Sequence, residues 1–565
     1  MKIKLFILLL GVILSASCTK LDLNPLSEAS SENWYSNPDQ IEIALNDLYR
    51  EYLYTLERNF ITDRWTDDWA QRTKVYEYAV GAITSEWSVS NELWNNSYKG
   101  ISRANRVLES ILALESEYSQ EVLDELKAEA CFFRAFFYSR LITLYGDVPF
   151  YTETMTIEEA FEIGRTDVQT VLQQVYADFD FAINNLPLEN SGSSGVYRVN
   201  KGAAMAMKAR AALYMSDWQV VVDATEACMA LNKYSLYPDY GEYFRSKTIM
   251  DETIFAIPRS YEYGFYYSSK GFILRTAGGT ADAQPSWSLL ASYLCTDGQP
   301  IDESPLFDPS NPFLNRDPRC IETFVEHGTE HVGYIYQPHP DTLKVLNVET
   351  GQLVTNLDCK ANTPWAAFSC NMLKKGVVIT WRAADGRYQD NPIILMRYAD
   401  LLLMYAEAKI ELDEIDQSVL DAINRVRARA YGVDLTETSL YPPVTTTDQV
   451  ELRRALRLER RIEFAWEGRR FWDLHRWRFF EEAFIPYYGH HPYALLKERI
   501  VDAGLWFWPW TPEIDENGIP DFDPMFEAGL IALYVERHFE PKQYLWPIPN
   551  TEVLINENID QNPLY

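Results

Sequence analysis

The chain has 565 residues, with 82 acidic against 51 basic side chains and a formal charge of −31. A body this acidic repels phosphate backbones and carries no offsetting basic stripe, which excludes nucleic acid as a partner. Aromatic residues reach 14% of the chain, and such rings either fill a core or offer flat faces to sugars.

At the start, Lys2 and Lys4 precede an apolar run over residues 5–14, interrupted only by Gly11. Ser15, Ala16 and Ser17 then lead into Cys18. The run is too short to cross a bilayer, so it reads as a cleaved secretory signal over residues 1–17. A cysteine at the cut is a lipid acceptor, although Ser15 stands where such signals usually carry leucine. Each buried methylene contributes roughly 0.8 kcal/mol, so two or more chains on Cys18 would hold the protein on a membrane. The alternative is an ordinary secreted protein cut nearby. Later apolar runs are shorter than a span; the longest, residues 393–404, is broken by Arg397 and Asp400.

After a tether over residues 18–37, two predicted helical regions bracket a loop-rich one. Residues 38–231 form the first, mostly helical from 38 to about 145 and again from 166. Over 168–186, apolar Val171, Val175, Phe179, Ala182, Ile183 and Leu186 recur at helical spacing before Pro187. Residues 201–214 are rich in Ala and Met, which lets a partner helix over 217–231 approach closely. Residues 232–392 turn to Gly, Pro, Tyr and short β-prone pieces such as 253–257. Helices are predicted again at 393–412, 417–430 and 448–466 within a region 393–478, and residues 479–565 are irregular. The fold class expected is all-α, a stack of helical hairpins with a large mixed insertion.

Among the cysteines, Cys131 and Cys228 suit a core, and Cys359 and Cys370 could bridge in an oxidising compartment. No metal-finger or C-x-x-C spacing occurs, so neither metal nor cofactor is expected. Catalytic constellations are poor. Asp67 and Asp68 sit between Trp65 and Trp69, where they suit sugar hydroxyls better than the defined carboxylate separation of glycoside hydrolysis. His327 and His331 flank Gly328, and His490–His491 lies in a Tyr/Gly/Pro loop without ligand-spaced partners. No phosphate-cradling Gly-rich loop or nucleophile elbow is present.

Two loop clusters combine rings with hydrogen-bonding groups, as a sugar site requires. The first holds Arg64, Trp65, Asp67, Asp68, Trp69, Gln71 and Arg72, extending to Tyr76 and Tyr78. The second holds Tyr261, Tyr263, Phe265, Tyr266, Tyr267 and Arg275, ending near Trp287. At least half of these rings are expected to pack the interior, since large rings bury first. The run Trp506–Trp510 suits core, loop anchor or a partner contact. The segment from Glu459 to Arg478 mixes carboxylates and guanidiniums in the pattern of a structural ion-pair network.

The stretch from Arg397 to Ala408 (RYADLLLMYAEA) resembles the signature helix of the SusD/RagB family. Further matches follow in order along nearly the whole chain. Near the start they are Leu21-Asp22 with Pro25, Ala44-Leu45-Asn46 with Tyr49, and Trp94, Tyr98, Ile101, Ala104 and Asn105. Glu129-Ala130, Arg134-Ala135 and residues 145–149 follow. Residues 315–319 are similar to the family's "rDpR" turn, 424–430 to its "N-x-x-R-x-R-A" helix, and 459–470 to another signature running into Asp473-Leu474. Leu545 to Pro549, Glu552, Asn556, residues 561–563 and Tyr565 complete the series. The resemblance implies an all-α core of tetratricopeptide-like hairpins and a variable region carrying the ligand face. It implies a surface lipoprotein of the outer membrane that binds glycan without catalysis and delivers it to a SusC-like TonB-dependent transporter. Ligand contacts in that family come from these two loop neighbourhoods, without residue-level transfer. A peptide nutrient, a surface glycoside hydrolase using Asp67 or Asp68, and a scaffold that plugs the barrel are the other readings.

Overall fold

A computed structural model describes residues 35–71, 75–190, 197–366, 368–378 and 388–565. The signal segment, Cys18, the Leu21-Asp22 match and Arg72 lie outside the described residues.

Helices come first, and their starts are set by side-chain caps. α1 (Pro38–Asn46) begins at Asn37, whose side chain accepts the Gln40 N–H at 3.0 Å. After α2 (Ser88–Leu112) and α3 (Gln120–Tyr145) comes α4 (Val168–Asn185), capped by Asp167. Asn200 caps α5 (Lys201–Tyr214), which is followed by α6 (Trp218–Ala230). Later come α7 (Tyr398–Glu411), α8 (Gln417–Ala430), α9 (Gln449–Glu463) and α10 (Arg469–Trp477). From α2 to α8 each helix packs on its chain neighbour, and α7 joins the two helical regions by also touching α9. Gly202, Ala203, Ala206 and Ala209 are buried in α5, so small side chains do set the close approach.

Two predicted elements change. The described residues of 47–87 hold only single turns (Asp47–Tyr49, Glu51–Leu53, Asp63–Trp65, Glu77–Ala79) and the strand Trp69–Gln71. The start of the helix expected at 393 is instead a strand, Ile393–Arg397, antiparallel to Thr253–Ile257 with Ile393 opposite Ile257. A short apolar run reads either way; the available partner strand decides it.

The loop-rich residues are not a separate appendage. Trp69, Phe272, Trp287, Tyr293 and Phe324 share one buried cluster with Ile462, Trp466, Phe507, Trp508 and Phe522. A larger cluster runs through the helices and takes in Trp65, Trp87 and Trp546. Cys359 and Cys370 are buried thiols rather than a disulfide. Among the described residues no helix is long and apolar enough to cross a membrane.

The charged motifs converge inside. Arg397 reaches Glu252 at 2.7 Å, Glu463 at 2.6 Å and Glu467 at 2.8 Å. Arg319 reaches Glu459 at 2.6 Å and Glu463 at 2.8 Å; Arg429 pairs with Glu252 and Glu463, and Arg427 with Glu459. Burial alone would raise the Glu463 carboxyl, but Arg429, Arg397 and Arg319 hold it well below the usual range. Asp400 is held by Arg210 and Arg460, and Glu407 by Arg476. The three charges of the signature helix are therefore paired inside, and their work is structural.

Candidate functional site

Of the first predicted cluster, most is interior. Trp65 is 2% exposed, its ring 5.2 Å from Trp87 and 5.8 Å from Trp546 between centroids. Trp69 stacks on Trp466 at 4.6 Å. Asp67 takes Arg470 at 2.9 Å and Arg461 at 2.8 Å, and Asp68 takes Arg461 at 2.8 Å. Burial would raise the Asp67 carboxyl, yet Arg461 and Arg470 hold it below the usual range, while burial pushes Asp68 up. Trp287 is also interior, its Nε1–H donating to the Ser369 carbonyl at 2.7 Å. As ligand contacts, Trp65, Asp67, Asp68, Trp69 and Trp287 are thus corrected: all five are buried in protein packing or ion pairs, and none lines the cavity beside Tyr267.

The second cluster faces outward. Ser260 and Phe265 exchange two backbone hydrogen bonds of 2.8 Å across a tight turn in which Gly264 has a φ of 78°. That conformation suits glycine, and it throws Tyr263 out to 73% exposure at the tip. The following Tyr267–Ser268 pairs antiparallel with Tyr388–Gln389, and the Tyr261 N–H donates to Asp390 at 3.1 Å. This pairing draws three exposed rings together: Tyr261 and Tyr266 lie 5.0 Å apart, Tyr266 and Tyr388 4.7 Å, and Tyr261 and Tyr388 6.1 Å. Tyr267 turns inward instead, with the Arg259 guanidinium 4.8 Å from its ring and Phe60 5.9 Å away. Arg275 belongs to another turn, where its backbone N–H donates to Asp358 at 2.7 Å.

Tyr267, next in the chain to Tyr266, helps to wall a partly open cavity of about 120 Å³. Its wall includes Phe60, Asp63, Arg259, Tyr267, Asn391 and Trp466. Asp63 projects from the turn Asp63–Trp65, and burial pushes its carboxyl up to about 7. Lys375, also in the wall, is pushed down to about 8 by burial, with Glu467 acting in the opposite direction. Tyr388, Asp63, Arg259 and Asn391 were missed by the motif search. A lone ring in an extended pair of residues joins Tyr266 only through strand pairing, and Asp63 resembled any polar loop residue. Among the described residues, no group of three or more His, Cys, Asp and Glu is placed to hold a metal ion.

Two family models match the chain. One, described as the SusD family, covers residues 249–565. The other, described as starch-binding associating with outer membrane, covers residues 21–213. A curated relative, SusD-like protein P25 of Formosa agariphila, is 26% identical over 84% of this chain and 90% of its own. Among solved structures, a SusD-like carbohydrate binding protein from Bacteroides fragilis is 26% identical, with a TM-score of 0.76. That alignment covers 93% of this chain and 99% of the other. A laminarin binding SusD-like protein, 19% identical with a TM-score of 0.58 over 93% of this chain and 99% of its own, shares the fold.

Proposed function

The chain belongs to the SusD family, and from that premise we propose that it captures a glycan on the cell surface without cutting it. The observation that carries this reading is the solvent-facing group Tyr261, Tyr266 and Tyr388, with Tyr263 at its tip. Aromatic faces cover the apolar faces of sugar rings, and such contacts are individually weak and collectively adequate. Tyr267, next in the chain to Tyr266, lines the cavity, and Arg275 stands on a separate turn. The helices serve as a tetratricopeptide-like scaffold that holds this face rigid. Acyl chains on Cys18 tether the protein to the outer membrane, and a SusC-like TonB-dependent transporter receives the glycan. Binding without hydrolysis is supported by the ion pairs that close off Asp67 and Asp68.

Titration calorimetry of the mature chain against a panel of oligosaccharides tests this. One or more is expected to bind intact, and Tyr266→Ala and Tyr388→Ala each to weaken it about tenfold, the equivalent of about 1.4 kcal/mol. Unchanged affinity in both variants, or shortened product in the cell, would contradict the reading.

A further inference from the structure

Three side chains in the wall of the cavity beside Tyr267 each carry a buried polar atom that the fold leaves unused. Asp63 accepts the Gly468 N–H on Oδ1 at 3.1 Å, but its Oδ2 has no hydrogen-bond partner although the residue is 1% exposed. Asn391 donates its amide to the Phe244 carbonyl at 3.2 Å, which fixes the side chain, and its Oδ1 is unused. Arg259 commits Nη2 to Glu51 at 2.7 Å and Asn59 at 3.1 Å, leaving the Nε–H unused. A buried polar atom without a partner costs roughly 1–3 kcal/mol. Two acceptors and one donor in one wall match a hydroxyl group, which both donates and accepts.

Size and charge narrow the occupant. About 120 Å³ equals roughly four water volumes in the liquid, and pockets that enclose a whole small ligand start near about 300 Å³. That space admits one arm of a sugar and leaves its ring outside. The wall cations are already committed, Arg259 to Glu51 and Lys375 to Glu467, and the wall carboxylate Glu57 is matched by Arg140. Asp63 has no ion pair among the described residues. An anionic substituent would meet the Asp63 carboxylate, while the Arg259 charge is already balanced by Glu51. Building on the glycan reading, we infer that the cavity is a specificity pocket. It takes a neutral hydroxyl-bearing arm against Asp63, Asn391 and Arg259, and it turns away carboxylated or sulfated sugars.

The test is calorimetry with two probe sets: neutral gluco-, manno- and xylo-oligosaccharides, and oligogalacturonates, oligoalginates and sulfated oligosaccharides. Ligands are expected from the neutral set alone. Asp63→Asn and, as a second variant at the same wall, Asn391→Ser each lower that affinity fivefold to tenfold, with folding checked by circular dichroism. Wild-type binding weakens as pH falls below about 7, where Asp63 gains its proton. Gly468, Asp68, Lys375 and Glu467 are the groups acting on that carboxyl, and Asp63→Asn flattens the profile. Equal binding of an acidic set member overturns the pocket and leaves glycan capture standing. So does wild-type affinity in both wall variants when Tyr266→Ala has lost binding. Absence of binding from both sets contradicts the pocket and the capture reading together.

Discussion

The ion-paired interior around Glu463 and the tyrosine face around Tyr266 are built on opposite principles. At Glu463 every charge has a partner from a distant segment, so the network is rigid and its residues recur as readable motifs. At Tyr266 the rings meet through one short strand pair and a tight turn, and large apolar faces stay in water. The lesson is that the most conspicuous sequence patterns in this chain build the frame, while recognition is assigned to plain loop residues. Asp63 lies between these regimes, buried like the network but lacking an ion pair among the described residues.

Three substitutions sharpen that contrast. The largest effect belongs to Glu463→Ala, which strands Arg319, Arg397 and Arg429 in the interior. Losing one member of a buried pair costs about 3–5 kcal/mol, a large part of a domain's roughly 5–15 kcal/mol. The denaturation midpoint should collapse or the protein fail to express in soluble form. A near-native midpoint would break the comparison.

Asp63→Asn comes next, with a pH signature. The folded carboxyl keeps its proton up to about 7, whereas the unfolded one releases it near about 3.9. Its contribution to stability is therefore full below about pH 4 and is lost as pH rises to 7. At pH 8 the variant should be more stable than wild type, by on the order of 2–4 kcal/mol, and the two should converge by about pH 4. Thermal melts at both pH values check this; a difference independent of pH would contradict it. Such a trade of stability against binding is what a ligand-facing buried acid entails.

The smallest change in stability is expected for Tyr263→Ala. A ring 73% exposed contributes little to folding, and its removal should shift stability by no more than about 0.5 kcal/mol. A larger loss in the same melts would mean that the turn is part of the frame.

How far the sequence could be read follows the same division. Helices α5 and α8 match their predicted bounds, because caps and apolar period are local signals. The strand Ile393–Arg397 was hidden, since its identity depends on Thr253–Ile257 far away in the chain. The ring-rich segment around Trp65 was legible as aromatic but not as interior, because burial follows from what packs against it. Tyr263 and Tyr266 were found as candidates, whereas Tyr388 and Asp63 join them only through strand pairing and a distant wall.

The central claim is that the tyrosine face and the cavity beside Tyr267 form one glycan site, and the structure of the complex tests it most directly. With the tightest neutral oligosaccharide bound, the sugar should lie uncleaved within about 4 Å of Tyr266 and Tyr388, one hydroxyl directed at Asp63. A glycan seated elsewhere, such as the groove beside Trp506 and His339, with the tyrosines bare, would contradict it.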